Sequence, residues 1–341
     1  MGELVESNTV KLVVLIDIEC VEEGDPSFEG RTAAVRQTME FQVSHALRDL
    51  GHTVEVIPFQ ADVIQVMTTL REKSPDVVFN LTEHFGGDRR KDAHVAAMLD
   101  LLGLASTGTS LTGLMLCRDK AVCKRVLGYH RIRQPLFHEV PVGHARPTGR
   151  LVFPMIVKPL FEDASDGISL ASVVHTREEL DERVALMHGK MKQPAICEEF
   201  IEGREIYVAL LGNERLQVLP PRELMFGPRE DGGPTIATAR VKFDEAYRKK
   251  WGIEYRHAEL DPSLQKQIAR ISKRVFHLLG MRDYGRIDLR ITPENEVVFL
   301  EANPNPALGV EDDVAESAYR AGLTYPQLIE RIVHQAARRK G

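Results

Sequence analysis

Asp283-Tyr-Gly-Arg-Ile-Asp-Leu-Arg-Ile-Thr-Pro-Glu-Asn-Glu-Val-Val-Phe-Leu-Glu-Ala-Asn-Pro-Asn-Pro306 reads as two strands around the turn-forming residues Thr292-Pro293-Glu294-Asn295. In the first strand Arg286, Asp288 and Arg290 share one face, and Ile287, Leu289 and Ile291 share the other. In the second, strict alternation puts Val297, Phe299, Glu301 and Asn303 together. Pairing Ile291 with Glu296 places Asp288 opposite Phe299 and Arg286 opposite Glu301, so the two carboxylates become diagonal neighbours. Two carboxylates and an amide oxygen suit a hard cation such as Mg²⁺. Taken alone, a charged hairpin face is more often solvated. Apolar Val297 and Phe299 on that face argue for burial, and carboxylates beside buried apolar groups need a partner.

Outward from the hairpin, the chain reads as α/β. Lys11–Asp17 (KLVVLID), Thr53–Phe59 and Asp76–Leu81 are short apolar runs alternating with helical periodicity over Thr32–Leu50, Val63–Lys73, Asp92–Leu102 and Ser110–Leu127. Strands alternating with helices predict a parallel, doubly wound sheet, with ligands at the C-terminal ends of its strands. The polar loop Thr82–Asp88 is one such end. Prolines and glycines over residues 128–150 read as linker-like turns. Beyond them, strands are expected at Val152–Lys158, Ile168–His175, Ala195–Ile201 and Glu205–Leu211, and helices at Arg177–Met191 and Pro262–Leu279, with a last helix from Pro326. The long segment from Pro220 to Trp251, with several glycines, is of a length common in lids.

Composition narrows the function. The chain has 341 residues, 43% hydrophobic and 28% charged, and a net charge of −6 without a basic block. That fits a globular protein with a sizeable core and argues against a nucleic-acid partner. No apolar run approaches the length of a membrane span. Cys20, Cys117, Cys123 and Cys197 form no C-x-x-C pair, so neither a zinc site nor a disulfide framework is expected. With no signal-like N-terminus, a cytoplasmic setting is expected.

Three further segments carry candidate chemistry. Lys158 ends an apolar strand before Pro159–Ser169, a small-residue loop that suits phosphate contacts, although it is no P-loop and a plain hairpin is the simpler reading. Cys197-Glu-Glu-Phe-Ile-Glu-Gly-Arg-Glu205 places acidic groups at a strand end and past a turn, where backbone can meet a purine and a carboxylate a ribose. An exposed charged hairpin is the alternative. Lys120 lies on an amphipathic helix, where a solvated face is the simplest account.

Their order decides more than any one of them. A helical Asp-Lys, Val-Lys-Pro, Glu-Glu-Phe-Ile-Glu-Gly-x-Glu, Gly-Arg-Ile-Asp and Glu-Ala-Asn-Pro follow one another. This resembles the ATP-grasp superfamily, and within it the D-alanine–D-alanine ligases, over nearly the whole chain, including Leu101-Leu-Gly-Leu104 and Ala321–Ile329. The resemblance implies an ATP-grasp fold in three parts: an N-terminal α/β domain (1–114), a small central lid (115–200) and a C-terminal mixed-sheet domain (201–341). It implies an ATP- and Mg²⁺-dependent ligase (Mn²⁺ the alternative ion) that makes an amide through an acylphosphate. Small carboxylate and amine substrates and a homodimer are also implied.

Residue by residue, Lys120 and Lys158 look like the two lysines on the ATP phosphates, and Ser165 and Gly167 like the small loop folding over them. Glu198, Glu199, Phe200 and Ile201 match the adenine cradle, and Glu205 the ribose acceptor. Lys250-Trp251 resembles the lysine–aromatic pair of the closing loop. Asp288, Glu301 and Asn303 match the Mg²⁺ ligands, and Arg286 the arginine facing the developing oxyanion.

The substrate side departs from the family's pattern. A glutamate for the first substrate's ammonium would be Glu19, Glu22 or Glu23. Glu83-His84-Phe-Gly-Gly87 replaces a His-Gly loop, Ala164 a serine, Ala307-Leu308 a Gly-Met, and Gly309-Val-Glu-Asp-Asp313, with Glu311 at its centre, a Ser-Leu segment. Three acidic residues would repel a docking carboxylate. The expected acceptor is therefore cationic or lacks that carboxylate. The alternatives are a true D-alanine–D-alanine ligase with a divergent pocket and a nucleotide-binding protein without catalysis.

Overall fold

The computed structural model describes residues 9–59, 62–144, 147, 149–162, 167–227 and 236–339. Strand β1 (Lys11–Asp17) is buried along nearly its whole length, as its continuous apolar run requires of a central strand. After it come helices α1 (Ala33–Gln37) and α2 (Met39–Asp49), strand β2 (Thr53–Phe59), helix α3 (Val63–Lys73), strand β3 (Val77–Asn80) and helix α4 (Asp92–Leu101). The sheet is parallel in the order β2-β1-β3. Alternation along β1 sorts its side chains. Leu12, Val14 and Ile16 pack with Val43 and Leu47 of α2, whereas Val13 and Leu15 pack with Leu70 of α3 and Leu99 of α4.

Two expected long helices are broken, each at a capping residue. Thr38 is extended and its hydroxyl accepts the Phe41 N–H at 3.2 Å, which separates α1 from α2. Asp119 does the same between α5 (Leu111–Arg118) and α6 (Lys120–Tyr129), accepting the Val122 N–H at 2.9 Å. The second break makes Lys120 the first residue of α6.

Residues 128–150 are not merely linker: β4 (Phe137–Val140) lies within them. With β5 (Met155–Pro159), β6 (Val173–Val174), helix α7 (Arg177–Leu186) and β7 (Ala195–Glu199), it forms an antiparallel sheet ordered β4-β7-β5-β6. Leu180 and Val184 of α7 close one face.

The third sheet contains β8 (Arg204–Leu211), β9 (Gln217–Val218) and β10 (Arg222–Met225). Helices α8 (Ala239–Phe243) and α9 (Glu245–Trp251) precede β11 (Glu254–His257), and α10 (Pro262–Leu278) precedes β12 (Tyr284–Ile291) and β13 (Val297–Asn303). The order is β11-β10-β8-β12-β13, with β9 on β8. A mixed sheet was expected here, but its pairings are antiparallel throughout the described residues, as the hairpin connection between β12 and β13 favours. Amphipathic α10 covers one face through Leu264, Ile268, Val275 and Phe276. Helices α11 (Asp313–Arg320) and α12 (Tyr325–Arg338) follow, and α12 packs Ile329, Ile332 and Val333 back against the N-terminal sheet. The end of the chain thus shares a core with its beginning. Among the described residues no helix is long and apolar enough to cross a membrane.

Candidate functional site

The hairpin of β12 and β13 holds the site, in a register that alternation alone does not give. Ile291 pairs with Val297 rather than Glu296, and Leu289 with Phe299. The Thr292 N–H donates to the Glu296 carbonyl at 3.0 Å, and Asn295 adopts a φ of 64°. The register then slips between Leu289 and Asp288, so that Asp288 lies directly opposite Glu301 and Arg286 opposite Asn303. One residue, Leu300, is extra on β13. Such a bulge inverts the parity of every side chain beyond it. Val297 and Phe299 therefore enter the core with Leu289 and Ile291, while Glu301 and Asn303 leave that face. The bulge replaces the expected diagonal approach of the carboxylates with a direct one.

Each carboxylate is held by its own cation. The Arg286 guanidinium donates to both Asp288 oxygens, at 2.8 and 3.0 Å, and the Asn303 amide donates to Asp288 at 3.1 Å. The Lys120 ammonium sits 3.0 Å from Glu301. Burial pushes Asp288 above the usual carboxylate range; Arg286 pulls it down and neighbouring Glu301 up. Burial would also raise Glu301, but Lys120, Lys158 and Lys242 outweigh it and hold Glu301 low.

A cleft between the central and C-terminal sheets gathers Lys158, Glu198, Glu205, Lys242, Asp288 and Glu301 on its walls. Lys158 donates to Glu198 at 2.8 Å, and Lys124, fully buried on α6, stands 3.2 Å from the other Glu198 oxygen. Burial alone would raise Glu198; the two lysines hold it low. Glu199, Phe200 and Ile201 line the same cleft. Phe200 donates its N–H to the Pro154 carbonyl at 2.9 Å, and Glu199 is hydrogen-bonded to Leu136 through both backbone and side chain. The Glu205 carboxylate accepts from the Tyr207 hydroxyl at 2.8 Å and is ion-paired with Arg290. Gly167, at a φ of 70°, receives the Arg183 guanidinium on its carbonyl at 2.7 Å. Ser165 and Ala164 lie outside the described residues.

Lys250 is not brought to the cleft. It is exposed on α9, its ammonium 4.9 Å from the Trp251 ring centroid. Among the described residues of this segment, the lysine that lines the cleft is Lys242, on α8. Asp244 leaves the helical conformation and caps α9 through the Tyr247 N–H at 2.8 Å, so the two short helices present different faces. Nothing in the run of Lys242, Lys249 and Lys250 distinguishes them by sequence.

On the substrate side, Glu19, Glu83 and His84 meet at the C-terminal ends of β1 and β3, around a residue the sequence reading passed over. Asp17 accepts the Glu83 N–H at 2.9 Å and lies 3.7 Å from His84, which is 4.0 Å from Glu19. Burial pushes Asp17 up to about 6, against the pull of the Glu83 N–H and His84. Beside it, Glu40 is raised by burial, and its field reaches Cys20 and Tyr325.

The loop from Ala307 to Asp313 requires a correction. Ala307 and Glu311 are exposed, but Asp312 accepts the Gly309 N–H at 2.7 Å. Asp313 turns inward, 3.3 Å from Arg286 and 3.5 Å from Arg222. Only Glu311 of the three acids stands open, because α11 starts there and its first turn carries Asp313 to the arginines. The periodicity that would have signalled α11 was passed over in the sequence. Arg222, Lys124, Lys242 and Asp17 were likewise missed; each depends on contacts far along the chain.

Among the described residues no three histidine, cysteine or acidic side chains converge on a metal position. The opposed pair Asp288 and Glu301, with the Asn303 amide beside them, matches the small oxygen set of an ion that keeps part of its water.

The family described as D-ala D-ala ligase C-terminus matches residues 126–334. A protein of Sinorhizobium fredii named "Uncharacterized protein y4sG" is 34% identical, over 86% of each chain. The D-alanine–D-alanine ligase of Pseudothermotoga lettingae is 30% identical over 87% of this chain and 92% of that one. Among solved structures, the D-alanine–D-alanine ligase from Bacillus anthracis complexed with ATP superposes with a TM-score of 0.70, covering 97% of this chain and 98% of that one at 18% identity. At that identity the likeness speaks for the fold.

Proposed function

The chain belongs to the D-alanine–D-alanine ligase family of ATP-grasp, C–N-bond-forming ligases, and from that premise we propose that it joins a carboxylate to an amine other than the standard D-alanine pair, using ATP and Mg²⁺. The observation that carries the reaction is the bulged hairpin, which opposes Asp288 and Glu301 on a cleft also lined by Lys158 and Lys242. A carboxylate is a poor acyl donor because oxide would have to leave; the acylphosphate, a mixed anhydride, loses phosphate readily when an amine attacks its carbonyl carbon. Such transfer needs charge neutralisation and alignment more than a protein nucleophile. Asp288, Glu301 and Asn303 would hold Mg²⁺, which when bound neutralises phosphate charge.

The remaining roles fall to side chains of known position. Lys120, Lys158 and Lys242 offset negative charge on the nucleotide. The backbone from Glu198 to Ile201 takes the base, and Glu205, fixed by Arg290 and Tyr207, faces the ribose. Arg286, anchored on Asp288 and Asp313, is aimed where the tetrahedral oxyanion forms. The segment through Lys242 excludes water that would hydrolyse the acylphosphate.

The substrate reading rests on a contrast in charge. Glu198, on the nucleotide side, is saturated by two lysines. On the other side Asp17, Glu40 and Asp312 are all raised by burial, which outweighs the His84 charge at Asp17 and the Arg286 charge at Asp312. Glu40 lies in the field shared by Cys20 at one end and Tyr325 and Asp312 at the other. A substrate bearing more positive charge than one α-ammonium would complete them. The test is ADP release with ATP, Mg²⁺ and paired amino acids, diamines and basic amines, with product masses. Diamines or basic amino acids should outpace D-alanine; D-alanyl-D-alanine as the fastest product would overturn the substrate reading and leave a D-alanine–D-alanine ligase.

A further inference from the structure

Helix α6 sends two lysines one turn apart into the site, and only the first has a role above. Lys120 reaches Glu301 at 3.0 Å. Lys124 is 1% exposed and reaches in two directions: 2.9 Å to the Leu300 carbonyl and 3.2 Å to Glu198. Its ammonium also lies 5.3 Å from the Phe299 ring centroid. Glu198 in turn holds Lys158 at 2.8 Å. Leu300 is the bulge residue, with no partner on β12, and it immediately precedes Glu301.

An ammonium so deeply enclosed is costly, and a plain structural ion pair would be replaceable by packed apolar groups. Here the enclosed charge touches the strand β7 that carries Glu198 and, through it, Lys158 on β5. It also touches the one irregular point of β13. A helix, a strand of the central sheet and the bulge of the C-terminal sheet are joined at a single atom.

We propose that Lys124 is a positioning residue: through Glu198 it sets the Lys158 ammonium, and through the Leu300 carbonyl it fixes the bulge that turns Glu301 into the cleft. This rests on the nucleotide reading above. With Lys124 absent, Glu198 faces Lys158 alone and draws its ammonium into a full ion pair, away from phosphate. The Leu300 carbonyl loses its donor, and the bulge loses the contact that sets Glu301 toward Asp288.

A double-mutant cycle on binding of a non-hydrolysable ATP analogue with Mg²⁺, read by calorimetry on the full chain, needs no knowledge of the amine. Lys124→Met and Lys158→Met should each weaken binding about 30-fold, and together by no more than about 100-fold, because one acts through the other. Additive losses near 900-fold, or K124M binding within about threefold of the unaltered protein, overturn the proposal. Where K124M does not fold, Lys124→Gln keeps a donor for the Leu300 carbonyl, and the same coupling to Lys158 is required of it. Failure of the unaltered protein to bind the analogue overturns the nucleotide reading itself. Binding that survives in the Lys124 variants but not in K158M overturns only the positioning role.

Discussion

Lys242→Ala and Lys250→Ala separate what the chain's order suggests from what its geometry delivers. Lys242 lines the cleft and is one of three cations holding Glu301 low against burial. It also lowers Asp288. An ammonium placed to meet phosphate in such a cleft makes a charge-assisted contact worth ~1.5–3 kcal/mol, or ~10–150-fold in kcat/KM for ATP. Lys250 stands exposed over Trp251, where a cation–π contact is worth ~0.5–1 kcal/mol of local stability and no substrate contact. K250A should therefore retain kcat/KM within about twofold. The assay is coupled ADP release at varied ATP, with thermal midpoints measured in parallel to exclude unfolding. A larger loss in K250A than in K242A would show that the segment rearranges on closure and brings Lys250 rather than Lys242 to the phosphates.

Asp288→Asn should cut ADP release by at least ~10²-fold while the protein still melts cooperatively; unchanged turnover would remove Asp288 from the metal set. Asp17 is held protonated in the folded chain up to about 6, above the ordinary aspartate value of 3.8, so the folded state binds more protons between those values. Stability should accordingly fall as pH rises through that window, and Asp17→Asn should flatten the fall in urea midpoints between pH 4 and 7; an unchanged slope assigns it to other groups. Gly203 adopts a φ of 139°, and a Cβ there would overlap the Ile291 carbonyl oxygen. Gly203→Ala should cost ~2–4 kcal/mol in denaturant unfolding, and a stability within error of the unaltered protein would mean that the turn relaxes freely.

What the sequence disclosed and what it hid divide along the range of the interactions. The parallel strands β1 and β3 were legible because a strand buried on both faces must be apolar along its length, which is a local property. So were the spans of α3 and α10. The breaks at Thr38 and Asp119 were not. A helix interrupted by a single capping side chain keeps its apolar periodicity on both sides, and the periodicity conceals the interruption. The bulge at Leu300 was hidden for a related reason: alternation predicts faces only while the ladder stays in register. Its expected result, carboxylates sharing a face with Phe299, was wrong in mechanism although right about their proximity. Lys242 and Lys250 differ by less than their shared residue type can show; the kink at Asp244 decides between them.

The charges in the cleft also explain why the site can be assembled before any ligand arrives. Asp288 and Glu301 need a cation, while Lys120, Lys158 and Lys242 are suited to anions. These groups answer one another through Arg286–Asp288, Lys120–Glu301 and Lys158–Glu198. Isolated, any one of them would pay several kcal/mol for its burial. Paired, they hold the cleft open at little net cost, and binding becomes an exchange of partners rather than a first neutralisation. A nucleotide alone would draw Lys120 from Glu301 and leave that carboxylate unanswered, while Glu198 keeps Lys124. A metal ion alone would displace cations that then face no anion. The two together preserve the balance of charge, so these ion pairs favour joint loading over either ligand alone. On the opposite side burial outweighs the His84 charge at Asp17 and the Arg286 charge at Asp312, and the basic amine proposed above would add positive charge there.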